Sequence, residues 1–208
     1  MRSIAEIFSS YEVLDSEGRH VNGTDKNGPN HQYGDAYEQI LTIPNVMSDP
    51  GKVVRQRYPH SIRSDTDLMM EIGVAGGASL LAWSEVFPNA HCVGLDIMPD
   101  PSPMLYGKDR IEFHIGDMRS HEDCLRAASG RMFDFICEDA THILEDSLRT
   151  LLYLWPHVRP GGVYVIEEFA NIGAHRRAII ELWPFARIID TVGPFGGCEP
   201  LVVLRKPL

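Results

Sequence analysis

Residues 68–97, LMMEIGVAGGASLLAWSEVFPNAHCVGLDI, predict a strand over 68–73, a glycine-containing turn, a helix and a second strand that ends at Asp96. The same alternation of apolar strands and helices continues to the end of the chain. The further expected strands are 111–115, 133–137, 162–167, ARIIDT and EPLVVLRK, and the expected helices are 77–87, 118–128, 142–156 and 173–183. This order predicts an α/β fold with a doubly wound, mostly parallel open sheet. The face of helix 142–156 expected to pack on that sheet consists of Ile143, Leu144, Leu148, Leu151 and Leu152.

The turn after the first strand and the acid after the second together indicate a cofactor site. The carboxylate of Asp96 can accept hydrogen bonds from both hydroxyls of an adenosyl ribose, as in dinucleotide-binding folds. Gly73, Gly76 and Gly77 lack the GxGxxG spacing that aims helix amides at a pyrophosphate. S-adenosylmethionine has a ribose and no phosphate, so it fits this turn better than NAD does.

The third strand also ends at an acid, in EFHIGDMRS. Asp117 can hold the amino group of an adenine there, and Met118 can cover the face of the ring. Asp117 is equally well explained as the cap of the following helix. The residues leave both interpretations open.

Acidic residues follow two further strands, in FICEDATH and VYVIEEF. If these strands are parallel neighbours, a right-handed crossover brings Asp139, Glu167 and Glu168 to the same edge of the sheet. Neighbouring strands lie about 4.8 Å apart, so oxygens from the two ends can share one small hard cation. The sequence therefore predicts a metal site with His142 beside it.

That site has simpler alternatives. Asp139 can be a helix cap, and His142 can be an exposed residue of the first helical turn. Glu167 and Glu168 can be a solvated pair, because adjacent strand residues point to opposite faces unless the chain bends. The joint placement of all four residues favours a functional site over these explanations.

Composition limits the class of protein. The 208-residue chain is 44% hydrophobic, which is enough for one well-buried domain. A net charge of -10 argues against nucleic-acid partners, because their binding rests on cationic contacts to phosphate.

No apolar run approaches the ~20 residues that span a bilayer, and the N-terminus has no signal-like apolar region. No membrane partner is expected, and the expected location is cytoplasmic. Reduced thiols are expected at the four cysteines, which lack CxxC spacing, namely Cys92, Cys124, Cys137 and Cys198.

The first 65 residues differ in pattern from residues 66–208, and we expect them to form an N-terminal helix and lid segment attached to the sheet. An amphipathic helix over 3–13 is predicted by four apolar residues at helical spacing, Ile4, Ile7, Phe8 and Tyr11. A second helix is expected near 36–43. The polar stretch between them, HVNGTDKNGPNHQYGD, indicates by composition only a mobile loop. Because the N-terminal helix can pack against a second copy, a homodimer is expected.

EIGVAGG followed by GLDI resembles the cofactor-binding half of class I S-adenosylmethionine-dependent methyltransferases. The two terminal strands resemble the antiparallel edge of their seven-stranded, Rossmann-like sheet, and the resemblance covers nearly the whole chain. It implies cofactor contacts at Glu71, Gly73, Gly76 and Asp96. More narrowly, GTDKNGPNHQYGDAYEQIL, EDATH and IEEF are similar to the metal-dependent sugar O-methyltransferases of macrolide tailoring, of the macrocin and mycinamicin type. A further similarity is to the methyltransferases of mycobacterial methylmannose polysaccharide.

The resemblance to the sugar enzymes implies methyl transfer to a sugar hydroxyl, with a small carbohydrate or oligosaccharide as the partner. It implies that Asp139, Glu167 and Glu168 hold Mg²⁺, and that His142 acts with Asp139 in catalysis as the base. It also implies a lid over the cofactor and substrate, with four candidate contacts, Lys26, His31, Tyr33 and Tyr37. Two departures from that group are Ala140-Thr141, where Gly-Ser is usual, and Glu168, where Asp is frequent.

Other functions remain open on the sequence. The 28-residue spacing from Asp139 to Glu167 also resembles catechol O-methyltransferase, which has a lysine where this chain has His142. A noncatalytic module would bind the cofactor or metal as a sensor, and the intact Asp139 and His142 argue against it. A dehydrogenase would bind NAD and not S-adenosylhomocysteine, so a binding measurement separates it from a methyltransferase.

Overall fold

The computed structural model describes residues 2–14, 16–17, 20–27, 31–42, 48–49, 52–53, 62–99, 103–168, 172–184, 186–191 and 200–208. In chain order the strands are β1 (Glu12–Leu14), β2 (His20–Gly23), β3 (Ser48–Asp49), β4 (Lys52–Val53), β5 (Leu68–Ile72), β6 (His91–Asp96), β7 (Ile111–Ile115), β8 (Phe133–Glu138), β9 (Val158–Ile166), β10 (Ala186–Ile189) and β11 (Leu201–Arg205). The α-helices are α1 (Ile4–Ser9), α2 (Tyr33–Thr42), α3 (Ile62–Asp65), α4 (Ala78–Val86), α5 (His121–Ala128), α6 (Leu144–Leu154) and α7 (Ile172–Leu182).

Seven of these strands form one sheet in the order β10-β11-β9-β8-β5-β6-β7. The pairs from β9 to β7 are parallel, whereas β11 is antiparallel to both β9 and β10. The predicted doubly wound, mostly parallel sheet is therefore confirmed. Chain order reverses between β5 and β8, and ligands of such sheets bind at the carboxyl ends of the strands near that point.

The sheet is covered on both faces, which explains why its central strands are almost entirely apolar. In β8, Phe135 and Cys137 belong to a core shared with α1, α2 and α4, while Ile136 belongs to a second core shared with α5 and α6. Successive strand residues alternate between the two cores, as the pleat requires. The two cores hold the strand ends at one rigid edge.

Helix α6 packs with a face that differs in part from the expected one. Ile143 is 51% exposed and Leu152 is 67% exposed, so neither contributes to the packed face as predicted. Leu151 is buried as expected, and Thr150 is buried beside it. The Thr150 hydroxyl donates to Met118 O at 3.0 Å, so its burial leaves no hydroxyl unsatisfied. Apolar periodicity predicted the helix correctly. It did not predict which face is buried, because polar residues with hydrogen-bond partners inside the protein are part of that face.

The N-terminal elements begin and end at other residues than predicted. α1 stops at Ser9, because the chain turns and continues as β1 at Glu12. Ser3 caps its start, since the Ser3 hydroxyl accepts from Glu6 N at 3.1 Å and the Glu6 carboxylate accepts from Ser3 N at 2.8 Å. α2 begins at Tyr33, three residues before the expected start. Residue 43, its expected end, and residues 28–30 of the expected lid lie outside the described residues.

Aromatic side chains join the N-terminal segment to the sheet. The Phe8 and Tyr37 rings lie 4.9 Å and 4.8 Å from the Trp83 ring, both edge to face. All three side chains are buried in the core that contains Phe135. The expected division at residue 65 stays a prediction, but both sides of it share one hydrophobic core.

Two expectations about the chain as a whole concern its thiols and membrane segments. Cys92, Cys124 and Cys137 are buried free thiols, while Cys198 lies outside the described residues. In the described part of the chain, no helix is both long and apolar enough to cross a membrane. The expected homodimer stays a prediction.

Candidate active site

A cavity of about 450 Å³ lies at the carboxyl ends of the parallel strands. Its volume falls in the range of small-ligand sites. The candidates that line it are Gly73, Gly76, Asp96, Asp117, Met118, Asp139, His142 and Glu168. The described candidates that do not form its wall are Lys26, His31, Tyr33, Tyr37, Glu71 and Glu167.

The turn after β5 approaches the end of β8 closely. Gly73 has a φ of 85°, and a Cβ atom there would lie 2.0 Å from Asp139 O. A Cβ atom on Gly76 would meet no atom within 4 Å. Gly73 is therefore required by the backbone, whereas Gly76 leaves open space on the cavity wall.

These two glycines give a prediction about stability. Gly73→Ala should lower the free energy of unfolding by about 2 kcal/mol or more, because it combines a left-handed φ with a backbone clash. Gly76→Ala should change it by less than about 0.5 kcal/mol. Urea unfolding followed by circular dichroism measures both values. Equal losses in the two variants would contradict the constraint described for Gly73.

Asp96 ties the cofactor turn to the end of β6. Its Oδ2 atom accepts hydrogen bonds from Val74 N and Ala75 N at 2.7 Å each, and Oδ1 accepts from Met98 N at 2.8 Å. A carboxylate has about four acceptor positions, so capacity remains for a ligand hydroxyl. The predicted ribose contact stays a prediction, made at a carboxylate whose orientation is fixed by three amides.

Asp117 is paired with a residue that the sequence interpretation omitted. Arg119 donates from Nε to Asp117 Oδ1 at 2.9 Å and from Nη2 to Oδ2 at 2.7 Å. These hydrogen bonds lower the pKa of Asp117. Ser120, not Asp117, caps α5, because its hydroxyl accepts from Asp123 N. The expected adenine contacts at Asp117 and Met118 stay predictions, and Arg119 also lines the cavity.

The acidic edge forms where β8 and β9 end side by side. These strands are parallel, and their pairing continues past them through Glu167 N, which donates to Glu138 O at 2.9 Å. Asp139, His142 and Glu168 each offer one possible ligand atom, and these three atoms lie within 4.8 Å of one another. Asp139 is not a helix cap, because the residue before α6 is Ile143.

His142 is half-exposed on the cavity wall. Its Nδ1 atom lies 3.1 Å from Glu168 Oε2, without the alignment of a hydrogen bond. Among the described residues, Nδ1 has no hydrogen-bond partner. Nδ1 is itself buried, so the ring faces the cavity with its other, exposed atoms.

Backbone strain is concentrated at this cavity. Four described residues other than glycine have a left-handed φ, namely Ala75 (43°), Ser129 (50°), His142 (56°) and Glu168 (49°). Ala75, His142 and Glu168 line the cavity, whereas Ser129 ends α5. The chain therefore bends at Glu168, which is the condition under which Glu167 and Glu168 could both face one ion. Backbone strain of this kind is typical of functional sites.

Despite the bend, the carboxylates of Glu167 and Glu168 have different partners. Glu167 is 2% exposed, and its Oε2 atom accepts from Lys26 Nζ at 2.6 Å. Its Oε1 atom accepts from the Tyr37 hydroxyl and from Cys137 Sγ. Of the three expected metal ligands, the structure groups Asp139 and Glu168 with His142 and does not group Glu167 with them. The physical reason is that the buried lysine and tyrosine hold the Glu167 carboxylate in the core.

Lys26 is buried in this cluster and does not reach the cavity. Its Nζ atom lies 2.6 Å from Asp139 Oδ2 and 3.7 Å from Glu71 Oε1, in addition to the contact with Glu167. Burial lowers the pKa of Lys26, but Asp139 and Glu167 together raise it well above its ordinary value. The side chain is therefore an ammonium ion held by carboxylates, and the substrate contact expected for it stays a prediction.

Glu71 also faces the core. Its carboxylate accepts from the Ser79 hydroxyl at 2.9 Å and from Trp83 Nε1 at 3.1 Å. Burial raises its pKa to about 7, although Lys26 opposes this shift. Glu71 does not line the cavity, and its expected contact with a cofactor stays a prediction.

His31 holds the outer glutamate. Its Nε2 atom lies 2.8 Å from Glu168 Oε1 and 3.3 Å from Asp25 Oδ2. Burial lowers the pKa of His31, but hydrogen bonds to Asp25 and Glu168 raise it to about 11, so the imidazole is cationic. Asp25, which the sequence interpretation did not select, also lines the cavity. Its position next to Lys26 in GTDKNG was the available signal.

The two lid tyrosines are buried. The Tyr33 ring stacks on His31 at 5.0 Å, and Tyr37 packs between Trp83 and Phe135. Neither lines the cavity, and the expected substrate contacts of both stay predictions.

Comparison with known proteins agrees with this architecture. Residues 70–169 match a family described as a methyltransferase domain. The chain is 37% identical over 120 residues to mycinamicin VI 2''-O-methyltransferase of Micromonospora griseorubida, covering 54% of this chain and 29% of that protein. It is 35% identical over 121 residues to demethylmacrocin O-methyltransferase of Streptomyces fradiae, covering 54% of this chain and 30% of that protein. The matched region thus spans just under a third of the length of these curated relatives.

The fold is also found in a solved relative. The MycE methyltransferase of the mycinamycin biosynthetic pathway, in complex with Mg, SAH and mycinamycin VI, superposes with a TM-score of 0.67 at 23% identity. The match covers 99% of this chain and 55% of that one. Residues 70–169 therefore match a methyltransferase domain, and the chain has the fold of this solved methyltransferase. The resemblance of the chain to the sugar O-methyltransferases of macrolide tailoring is confirmed by the two curated relatives.

Proposed function

We propose that this domain transfers the methyl group of S-adenosylmethionine to a sugar hydroxyl, with Mg²⁺ as a second cofactor. One observation carries the proposal: the glycine turn, Asp96 and the group of Asp139, His142 and Glu168 all line the same cavity. A methyl donor and a hydroxyl acceptor must be held together in one space for the transfer to occur.

The turn and Asp96 fit S-adenosylmethionine. Asp96 retains acceptor capacity for a ribose hydroxyl after its three amide contacts. Gly76 leaves open space on the adjoining wall, which a side chain would fill. Asp117 and Met118, farther along the same wall, are the proposed adenine contacts.

The acidic edge fits a hard divalent cation. Asp139 and Glu168 supply carboxylate oxygens, which Mg²⁺ prefers as ligands, close enough for one ion. Bound there, Mg²⁺ supplies a Lewis acid that lowers the pKa of an acceptor hydroxyl. A sugar hydroxyl needs this help, because its pKa is far above that of imidazole.

His142 is the proposed base. A sulfonium methyl is already an activated electrophile, so the protein must orient the acceptor and remove its proton. The imidazole lines the cavity beside Glu168, and because Nδ1 is buried, Nε2 is the ring nitrogen proposed to take the proton. The proton of the acceptor would pass to this ring as the new oxygen–carbon bond forms and the sulfonium–carbon bond breaks.

The relatives support a sugar acceptor and both cofactors. The two curated relatives are named as O-methyltransferases of mycinamicin VI and of demethylmacrocin. One solved neighbour contains Mg and SAH. A small carbohydrate or glycoside is therefore the proposed partner.

The cofactor part of the proposal is tested by Asp96→Asn. This variant should bind S-adenosylhomocysteine more weakly by about 1 to 3 kcal/mol, because one hydrogen-bond acceptor for the ribose is replaced by a donor. The remaining amide oxygen can still accept from Val74 N and Ala75 N. Isothermal titration calorimetry measures the loss, with Asp65→Asn on exposed α3 as the matched control. A wild-type chain that binds NAD and not S-adenosylhomocysteine would point to a dehydrogenase.

The acceptor is identified in a second experiment. The chain is incubated with S-adenosylmethionine, Mg²⁺ and a panel of glycosides, oligosaccharides and catechols, and methylated products are detected by mass spectrometry. Products confined to the sugars support the proposal. Products confined to the catechols would replace the sugar acceptor with a phenol.

A further inference from the structure

Lys26 places a positive charge inside the acidic edge. The side chain is fully buried, and its ammonium lies between carboxylates at or next to the ends of β5, β8 and β9. It donates to Asp139 Oδ2 and Glu167 Oε2, both at 2.6 Å, and lies 3.7 Å from Glu71 Oε1. Three carboxylates from the sheet therefore surround one cation from the N-terminal segment.

Asp139 belongs to two groups at once. It accepts from Lys26, and it also contributes a possible ligand atom to the group with His142 and Glu168. Glu167 does not belong to both groups. Its Oε2 atom accepts from Lys26, and its Oε1 atom accepts from Tyr37 and Cys137. With Lys26 in place, an ion at the edge has access to Asp139 and Glu168 but not to Glu167.

We propose that Lys26 is a positioning residue that competes with the divalent cation for the carboxylates of Asp139 and Glu167, and thereby weakens the affinity of the site for metal. This inference rests on the metal site of the proposed function. The physical basis is that Lys26 and a metal ion would draw on the same carboxylates, and that like charges a few ångströms apart repel strongly in a buried site. The lysine also lowers the net negative charge that the carboxylates present to an ion.

A purely structural role for Lys26 makes the opposite prediction. If the lysine only ties the N-terminal segment to the sheet, its removal loosens Asp139 and weakens metal binding. Competition instead requires that removal strengthens metal binding. The direction of the change in affinity therefore separates the two roles, and it does not depend on turnover.

The test compares Lys26→Met with Lys206→Met in the full chain. Lys206 donates to Trp155 O and Val158 O, and it does not line the cavity, so it controls for the loss of a lysine. Mn²⁺ binding is measured by electron paramagnetic resonance without cofactor or acceptor. Lys26→Met should lower the Kd for Mn²⁺ by about tenfold or more, and Lys206→Met should leave it unchanged. An unchanged or higher Kd in a folded Lys26→Met variant would overturn the competition.

A measurement on the wild-type chain covers the case in which Lys26→Met does not fold. The chain has four lysines, so the ¹³Cε signals of labelled lysine are few enough to assign. Addition of Mg²⁺ should shift the Lys26 signal and leave the other three in place. A Lys26 signal unmoved at saturating Mg²⁺ would also overturn the proposal. Absence of metal binding in both the wild type and Lys26→Met would instead remove the metal from the proposed function, and this inference with it.

Discussion

His142→Ala should lower turnover by about a hundredfold or more, the range expected for the loss of a general base. The imidazole lines the cavity next to Glu168, and the proposed cofactor contacts are made by other residues. The affinity for S-adenosylhomocysteine should therefore stay within about twofold of the wild-type value. Steady-state rates with a methylated sugar as product, together with calorimetry, measure the two quantities.

The control for this variant is His121→Ala, which removes an exposed histidine at the start of α5. Its turnover should match that of the wild type. If His142→Ala also retains turnover within a few-fold, another group removes the proton, and His142 only forms part of the wall.

Asp139→Asn should have the largest effect, with a loss of turnover of roughly a hundred- to a thousandfold. The substitution keeps the shape of the side chain but removes the charge that both the cation and Lys26 require. Mn²⁺ affinity should fall with it, in the direction opposite to that expected for Lys26→Met. Near-ultraviolet circular dichroism should remain native.

Metal removal provides the matching experiment. A chelator should abolish turnover of the wild type, and added Mg²⁺ should restore it. Asp109→Asn, an exposed acid away from the cavity wall, is the control for loss of one negative charge. Full activity of Asp139→Asn, or of the wild type in chelator, is incompatible with a metal at this edge.

The sequence predicts the central sheet well because its signals are local. β6 and β7 occupy the predicted residues, since β6 has an apolar centre and β7 alternates apolar and polar residues. The same local signals bring Asp96, Asp139 and His142 to one cavity, because parallel strands end at a common edge.

The direction in which the Glu167 side chain points is not determined by the neighbouring sequence. It depends on a contact with Lys26, which lies 141 residues earlier, and on the Tyr37 hydroxyl. The burial of Lys26 depends in turn on Asp139, 113 residues later. No periodicity within one element reports such pairs, so the sequence pattern assigned Glu167 to the metal, and the family resemblance assigned Lys26 to a substrate contact. The exposed Leu152 of α6 shows the same limit for packing, since a helix pattern does not state how far the sheet extends beneath it.

The residues on the cavity wall with a left-handed backbone conformation restrict which substitutions this chain can accept. Ala75, His142 and Glu168 each hold a backbone conformation that glycine adopts at no steric cost. Substitution by glycine would relieve the backbone strain at all three, although at Glu168 it would also remove the ion pair with His31. At His142 and Glu168, the side chains that glycine would delete are those proposed to move a proton and hold an ion. A glycine in place of His142 should therefore raise stability at the expense of catalysis.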